Sequence, residues 1–221
     1  MLNIFCLCTV AQIFVGAAAP EPLAVIDLDP QKLFGSYTEV ATVAQDFSAG
    51  CTNTTFSFAA PGLQEPAPTG CEQVVAKLVV ACDRGWLHPR LRGVACALDP
   101  GARGRLLVTL SVPFSAPIRE EFDMILAAPD YAWLVIGHPS RRLLWILSRG
   151  PALSLTQLND LIDELEGRFG YTQLRQRLSC TAQPNRDPSW CSSLLQSPQE
   201  AHRWFKWAAA HPFWLPDPAD R

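Results

Sequence analysis

The sequence predicts an all-β fold: an eight-stranded antiparallel up-and-down barrel, a calyx, with one C-terminal α-helix packed on its outside. Three observations point there. Eight short runs rich in apolar, β-branched and aromatic residues follow one another at intervals of roughly 10–20 residues, with Gly/Pro turns between them. The period then changes once, after Ser154, where apolar residues fall at Leu155, Leu158, Leu161, Ile162, Leu165 and Phe169, which is helical spacing. A helix that late has no place in an immunoglobulin-type sandwich. The outer wall of a closed barrel can carry one, and an eight-stranded barrel is just wide enough to hold one small ligand.

The elements follow in order. Residues 20–33 form a Pro-containing lead-in, with a turn at Asp29-Pro30-Gln31-Lys32. Leu33 to Ala44 is the first strand: from Gly35 on, Tyr37, Glu39 and Ala41 share one face, and Ser36, Thr38 and Val40 the other. Cys51 to Ala59 is the second, with Thr52, Thr54, Phe56 and Phe58 on one face. Pro61 to Gly70 breaks the pattern. Val74 to Cys82, Leu91 to Leu98 and Arg105 to Val112 are the third, fourth and fifth strands. Phe122 to Ala127, Tyr131 to Gly137 and Arg142 to Arg149 complete the eight. The helix starts at a Ser154 or Thr156 cap and ends at Gly170, and Tyr171 to Leu178 reads as a short closing strand.

Composition narrows the class. The chain has 221 residues, enough for one domain with an extension, and its net charge of −3 gives no support to a nucleic-acid partner. Met1 to Ala19 has no charged side chain, an apolar run from Leu2 to Val15 and the small residues Gly16-Ala17-Ala18-Ala19, so residues 1–19 read as a secretory signal peptide cleaved after Ala18. Residues 20–183 are then the barrel domain, and 184–221 an aromatic, Pro-rich tail. Cys51, Cys71, Cys82, Cys96, Cys180 and Cys191 remain after cleavage, an even number that favours disulfides in an oxidising compartment. No Cys pair has close metal-ligand spacing with His beside it, so no metal and no cofactor is expected. Asn53-Thr54-Thr55 is a glycosylation sequon.

Two stretches carry a family resemblance. Gly35-Ser36-Tyr37-Thr38-Glu39-Val40-Ala41 stands where lipocalins have Gly-x-Trp, with Tyr in place of Trp. Trp145-Ile146-Leu147-Ser148-Arg149, preceded by Leu134-Val135-Ile136-Gly137, resembles a later lipocalin signature in the apolipoprotein D and bacterial-lipocalin manner. The likeness spans Asp27 to Cys180. Pro129-Asp130-Tyr131 lies near the family's Thr-Asp-Tyr element but keeps it poorly. The resemblance implies a barrel that binds a small hydrophobic molecule, and an Arg149 that crosses the closed end to pack on Tyr37, a cation over an aromatic face. The cysteine pattern is similar to that of plastid lipocalins. It implies a Cys82–Cys96 bridge between consecutive strands, with Cys51–Cys180 and Cys71–Cys191 as the further pairs.

The barrel wall is the expected site. Phe56, Phe58, Trp133, Val135, Trp145 and Leu147 are its candidate lining residues, each with packing under the helix as the alternative, because alternation gives two faces without saying which is inner. Glu39 shares a face with Tyr37. It either meets a ligand head group or an interior Arg such as Arg92 or Arg105, or is turned to solvent by a register change. No catalytic residue is expected: there is no Gly-x-Ser-x-Gly elbow, and His88, His138, His202 and His211 fall in turns or the tail. Two enzymatic readings stay open by family likeness, an isomerase using a barrel Cys (here Cys51) and a xanthophyll de-epoxidase using interior carboxylates. A third reading assigns the work to the tail, where Trp204, Phe205 and Trp207 lie beside Arg203 and Lys206 and a peripheral membrane contact is open. The expected protein is a secreted monomer, with a plastid or endomembrane lumen as the alternative compartment.

Overall fold

The computed structural model describes residues 23–195 apart from 24, 44–50, 63–66, 72, 100, 102, 151–152 and 183–187. The signal-peptide reading, the aromatic cluster at 204–207, His202 and His211 all lie outside the described residues.

Eight strands close on themselves. β1 (Gly35–Val43), β2 (Thr52–Ala59), β3 (Gln73–Asp83), β4 (Arg90–Ala97), β5 (Arg105–Ser111), β6 (Ile118–Ala127), β7 (Trp133–Gly137) and β8 (Leu144–Ser148) pair with their neighbours, all antiparallel. β8 pairs with β1 and β1 with β2, which makes the ring. No wall strand in such a ring is left with an unpaired edge.

β1 serves two partners on one side. Its first half, Gly35 to Thr38, pairs with β2. Its second half, Ala41 to Val43, pairs with β9 (Leu178–Cys180), a short strand outside the eight-stranded ring. Sequence pattern leads to a closing strand at Tyr171 to Leu178; instead a helical turn, Leu174–Arg177, precedes β9. The sixth strand begins at Ile118, four residues earlier than its apolar run suggests, because Arg119 and Glu121 take its solvent side.

α1 (Pro30–Leu33) starts with the Asp29 side chain accepting from the Gln31 amide at 3.0 Å and with Pro at its first position. α2 (Leu155–Arg168) starts in a capping box: Ser154 Oγ accepts from the Gln157 amide at 3.1 Å, and Gln157 Oε1 accepts from the Ser154 amide at 3.0 Å. Leu158, Leu161, Ile162, Leu165 and Phe169 of this helix region bury against Val40, Ala41, Val135 and Ile146 on the outside of the wall. Leu155, which the pattern puts on the same stripe, is 42% exposed at the first turn. Trp190, Cys191 and Leu195, around the single turn Pro188–Cys191, join this outer core.

Among the described residues the disulfides are Cys51–Cys82, Cys71–Cys96 and Cys180–Cys191. All three implied pairings are therefore corrected, and strand register explains why. Cys96 stands opposite Val74, while Ala81 stands opposite Arg90. Cys82 and Cys96 thus occupy opposite ends of one hairpin. Cys71, just before β3, reaches Cys96, with Cα atoms 5.4 Å apart. Thr52 opposite Asp83 brings Cys51 to Cys82, also at 5.4 Å. Cys180 closes a local loop to Cys191 instead of reaching across to β2.

Candidate functional site: the barrel interior

The interior begins at a sealed end. Gly35 has φ of +126°, and a Cβ there would lie 2.9 Å from the Arg149 guanidinium, so only glycine lets that side chain cross beneath β1. The guanidinium lies 4.6 Å from the Tyr37 ring centroid. Its nitrogens donate to the Tyr131 carbonyl at 2.9 Å, the Phe34 carbonyl at 2.8 Å, the Tyr37 hydroxyl at 2.7 Å and the Lys32 carbonyl. The Asp29 amide donates to the Tyr131 hydroxyl at 2.9 Å. Leu28, Leu33, Tyr37 and Phe58 fill the floor behind this network. Burial pushes the Tyr37 phenol above its ordinary pKa, with the Arg149 bond acting against it.

The middle of the barrel interior is aromatic. Trp145 meets Phe122 at 5.1 Å between centroids and Phe56 at 6.3 Å, both edge to face. Leu78, Leu91, Leu106, Val108, Met124, Leu134, Ile136 and Leu147 surround them. Of the candidate lining residues, Phe56, Phe58, Trp145 and Leu147 face this interior. Trp133 and Val135 do not, and are corrected: they pair with Ser148 and Ile146 on the outer face and pack in the core under α2.

Glu39 sits inside the wall. It stands opposite Leu147, an interior residue, and the register shift of β1 comes between Glu39 and Ala41, so Glu39 keeps the face of Tyr37. It is 2% exposed and accepts a hydrogen bond from the Thr181 hydroxyl. Burial pushes its carboxyl up to about 7, and the Thr181 bond opposes the rise. The expected interior arginines are corrected: Arg105 stands opposite Asp123 on the outer face, 3.3 Å away, and Arg92 stands exposed opposite Ser111.

The mouth adds two polar groups that sequence reasoning missed. Glu120 stands opposite Val108 and therefore points to the inner side, and His138 Nε2 lies 3.5 Å from its carboxylate. The His138 ring lies 6.1 Å from that of Phe122. Alternation through Ile118, Glu120, Phe122 and Met124 carries this signal once β6 is started at Ile118.

A family model for the lipocalin-like domain matches residues 28–183. The chain belongs to the lipocalin family. Among solved structures this lipocalin is similar to insecticyanin from the tobacco hornworm Manduca sexta, with a TM-score of 0.55 at 14% identity, covering 74% of this chain and 85% of that one. Cockroach allergen Per a 4 gives a TM-score of 0.48 at 10% identity, covering 73% and 92%. Lobster apocrustacyanin A1 gives 0.46 at 10% identity, covering 73% and 89%. No curated protein is a significant sequence match. At 14% identity the likeness to insecticyanin shows the fold.

Proposed function

We propose that this lipocalin is exported and binds a small hydrophobic molecule in the barrel interior, carrying or sequestering it. The observation that carries the reading is the gradient along the cavity. Side chains on the inner face of β5 pass from Leu106, 1% exposed near the sealed end, to Val108 and Leu110 at 8%, and on to the half-buried Val112 at the mouth. Apolar side chains along this strand thus become more accessible toward the mouth, which suits a lipid, fatty acid, sterol, retinoid or carotenoid tail. Glu39, Glu120 and His138 are the polar groups set along its axis, and they orient a head group.

The three disulfides fit an oxidising compartment. They support export through the segment 1–19, and the Cys180–Cys191 bridge ties the start of the tail 184–221 to the barrel domain 20–183, which acts as a monomer. In that compartment Asn53, whose amide nitrogen donates to Asp83 at 3.2 Å, is the glycosylation site. The Cys51–Cys82 bridge takes up the sulfur that an isomerase chemistry would need as thiolate, which favours binding over that enzyme. The test is native mass spectrometry of the oxidised protein from its own host, with organic extraction. A retained apolar molecule in one-to-one ratio is the expected result. A protein that retains nothing and takes up no fluorescent fatty acid or retinoid on titration would overturn the reading.

A further inference from the structure

Two of the loop tips at the open end carry large, uncovered aromatic side chains. Trp86, between β3 and β4, is 80% exposed, and Phe114, between β5 and β6, is 99% exposed. Among the described residues these are the most exposed of the large hydrophobic side chains. Both tips are held. Arg84 and Leu87 exchange backbone hydrogen bonds of 2.8 and 3.0 Å around Gly85 and Trp86, and the Ser115 amide donates to the Val112 carbonyl at 3.2 Å around Phe114. An aromatic presented on a held turn loses little conformational freedom when it is covered.

The outward face just behind the tips carries three arginines. Arg90 and Arg92 on β4 and Arg119 on β6 are exposed on the outward face just behind the tips; Arg92 stands opposite Ser111, and Arg119 opposite Thr109. Arg119 also donates to the Thr69 carbonyl. Residues 112–117 contain no charged side chain. On the acidic side, Asp83 is engaged by His88 at 2.8 Å and by Asn53, Glu120 turns to the inner side of the mouth, and Glu121 lies further toward the sealed end.

We propose that the open end docks on an anionic phospholipid surface, with Trp86 and Phe114 entering the interface and Arg90, Arg92 and Arg119 facing the head groups. The two hairpins are separated by two strand spacings, about 10 Å, so the aromatics form two separate anchors and not one continuous patch. Aromatic tips in front and arginines set back match the order of an interface, apolar below the head groups and anionic at them. A lipid surface fits this order better than a protein partner, which would be met by one contiguous apolar centre with a polar rim. The geometry turns the mouth toward the membrane, so that an apolar ligand passes between bilayer and barrel without crossing water. Only this last consequence rests on the proposed function.

The test is co-sedimentation of the full-length oxidised protein with vesicles of phosphatidylcholine plus phosphatidylserine, against phosphatidylcholine alone. The wild type is expected to bind the mixed vesicles, more weakly as salt is raised. The Trp86→Ser/Phe114→Ser double variant is expected to lose about tenfold or more of its partitioning, with its near-UV circular dichroism retaining the signal of the buried aromatics. Arg90→Gln/Arg92→Gln is expected to lose the preference for anionic lipid, which a merely structural role of the tips would not affect. Absence of wild-type binding overturns the proposal and leaves a protein partner or a solvated mouth. Equal binding by the tip variant also overturns it and moves the contact to another surface, such as the aromatic tail. Titration of the same samples with a fluorescent fatty acid separates the two readings: vesicle binding without probe binding removes the carrier function and keeps the docking surface, and the converse keeps the carrier alone.

Discussion

β8 feeds two apolar compartments. Trp145 and Leu147 turn into the barrel, while Leu144 and Ile146 turn out beneath α2. The outer compartment is shut at its centre, where Val40, Ala41, Val135, Ile146, Leu158, Ile162 and Leu165 have no exposed surface, and the partly buried Leu126, Trp133, Trp190 and Leu194 form its margin. The inner one is shut at the Tyr37–Arg149 end and opens toward Phe122, His138 and Glu120. One set of strands therefore supports two different tasks. Burial at the centre of the outer core is complete without a ligand and serves stability. Burial toward the mouth is incomplete, and a ligand is what would complete it.

That contrast can be broken at several points. Leu158→Ala opens a void in the shut compartment and is expected to destabilise the protein by about 2–5 kcal/mol in urea unfolding. The affinity of the folded fraction for a fluorescent fatty acid should stay unchanged; a parallel loss of affinity would mean that the two compartments are one.

Glu39 tests the wall between them. Its carboxyl titrates at about 7 in the folded protein against 4.5 for an unperturbed Glu, so the folded state holds the proton more tightly than the unfolded chain. Stability from this group is full below about pH 4.5 and falls as pH rises through about 7. Glu39→Gln is expected to remove that fall, stabilising the protein at pH 8 by on the order of 3 kcal/mol and by little at pH 4. A melting temperature with the same pH slope in both proteins would show that another group is responsible.

At the sealed end, Arg149→Lys keeps the charge but not the planar fork that serves Tyr131, Phe34 and Tyr37 together. A loss of about 1–3 kcal/mol is expected from calorimetry, with faster proteolysis of the lead-in before β1. The smallest effect on stability belongs to the mouth. Phe122 is only half buried, and Phe122→Ala is expected to change unfolding by about 1 kcal/mol while weakening probe binding roughly tenfold. The reverse pattern would make Phe122 a structural residue.

The sequence was most informative where physics is local. Gly/Pro turns between short apolar runs and a capped 3.6-residue period after Ser154 each depend on neighbours within a few positions, and together they led to the barrel and its helix; Gly35, Tyr37 and Arg149 were legible through the family resemblance. The site was half legible. Alternation separated Phe56 and Phe58 from their neighbours on β2. It did not say whether Trp133 and Val135 or Leu134 and Ile136 faced inward, since both sets are apolar: one lines the cavity and the other lies under α2. Glu120 was hidden because β6 opens on charged residues that look like a turn.

The eight wall strands, their turns and the late helix were determined by the sequence, because turn chemistry and side-chain periodicity act over short spans, and the Gly35, Tyr37 and Arg149 signature was read from its resemblance to the lipocalin pattern. Which cysteines meet, where Glu39 points and which apolar face is the cavity were decided only by the tertiary structure. The physical reason is register. A shift of one residue exchanges the two faces of a strand, and the bulge between Glu39 and Ala41 sends Val40 and Ala41 both to the outer core while leaving Glu39 inside. Likewise Cys96 opposite Val74, and Thr52 opposite Asp83, placed each sulfur beside a partner that no spacing along the chain specifies.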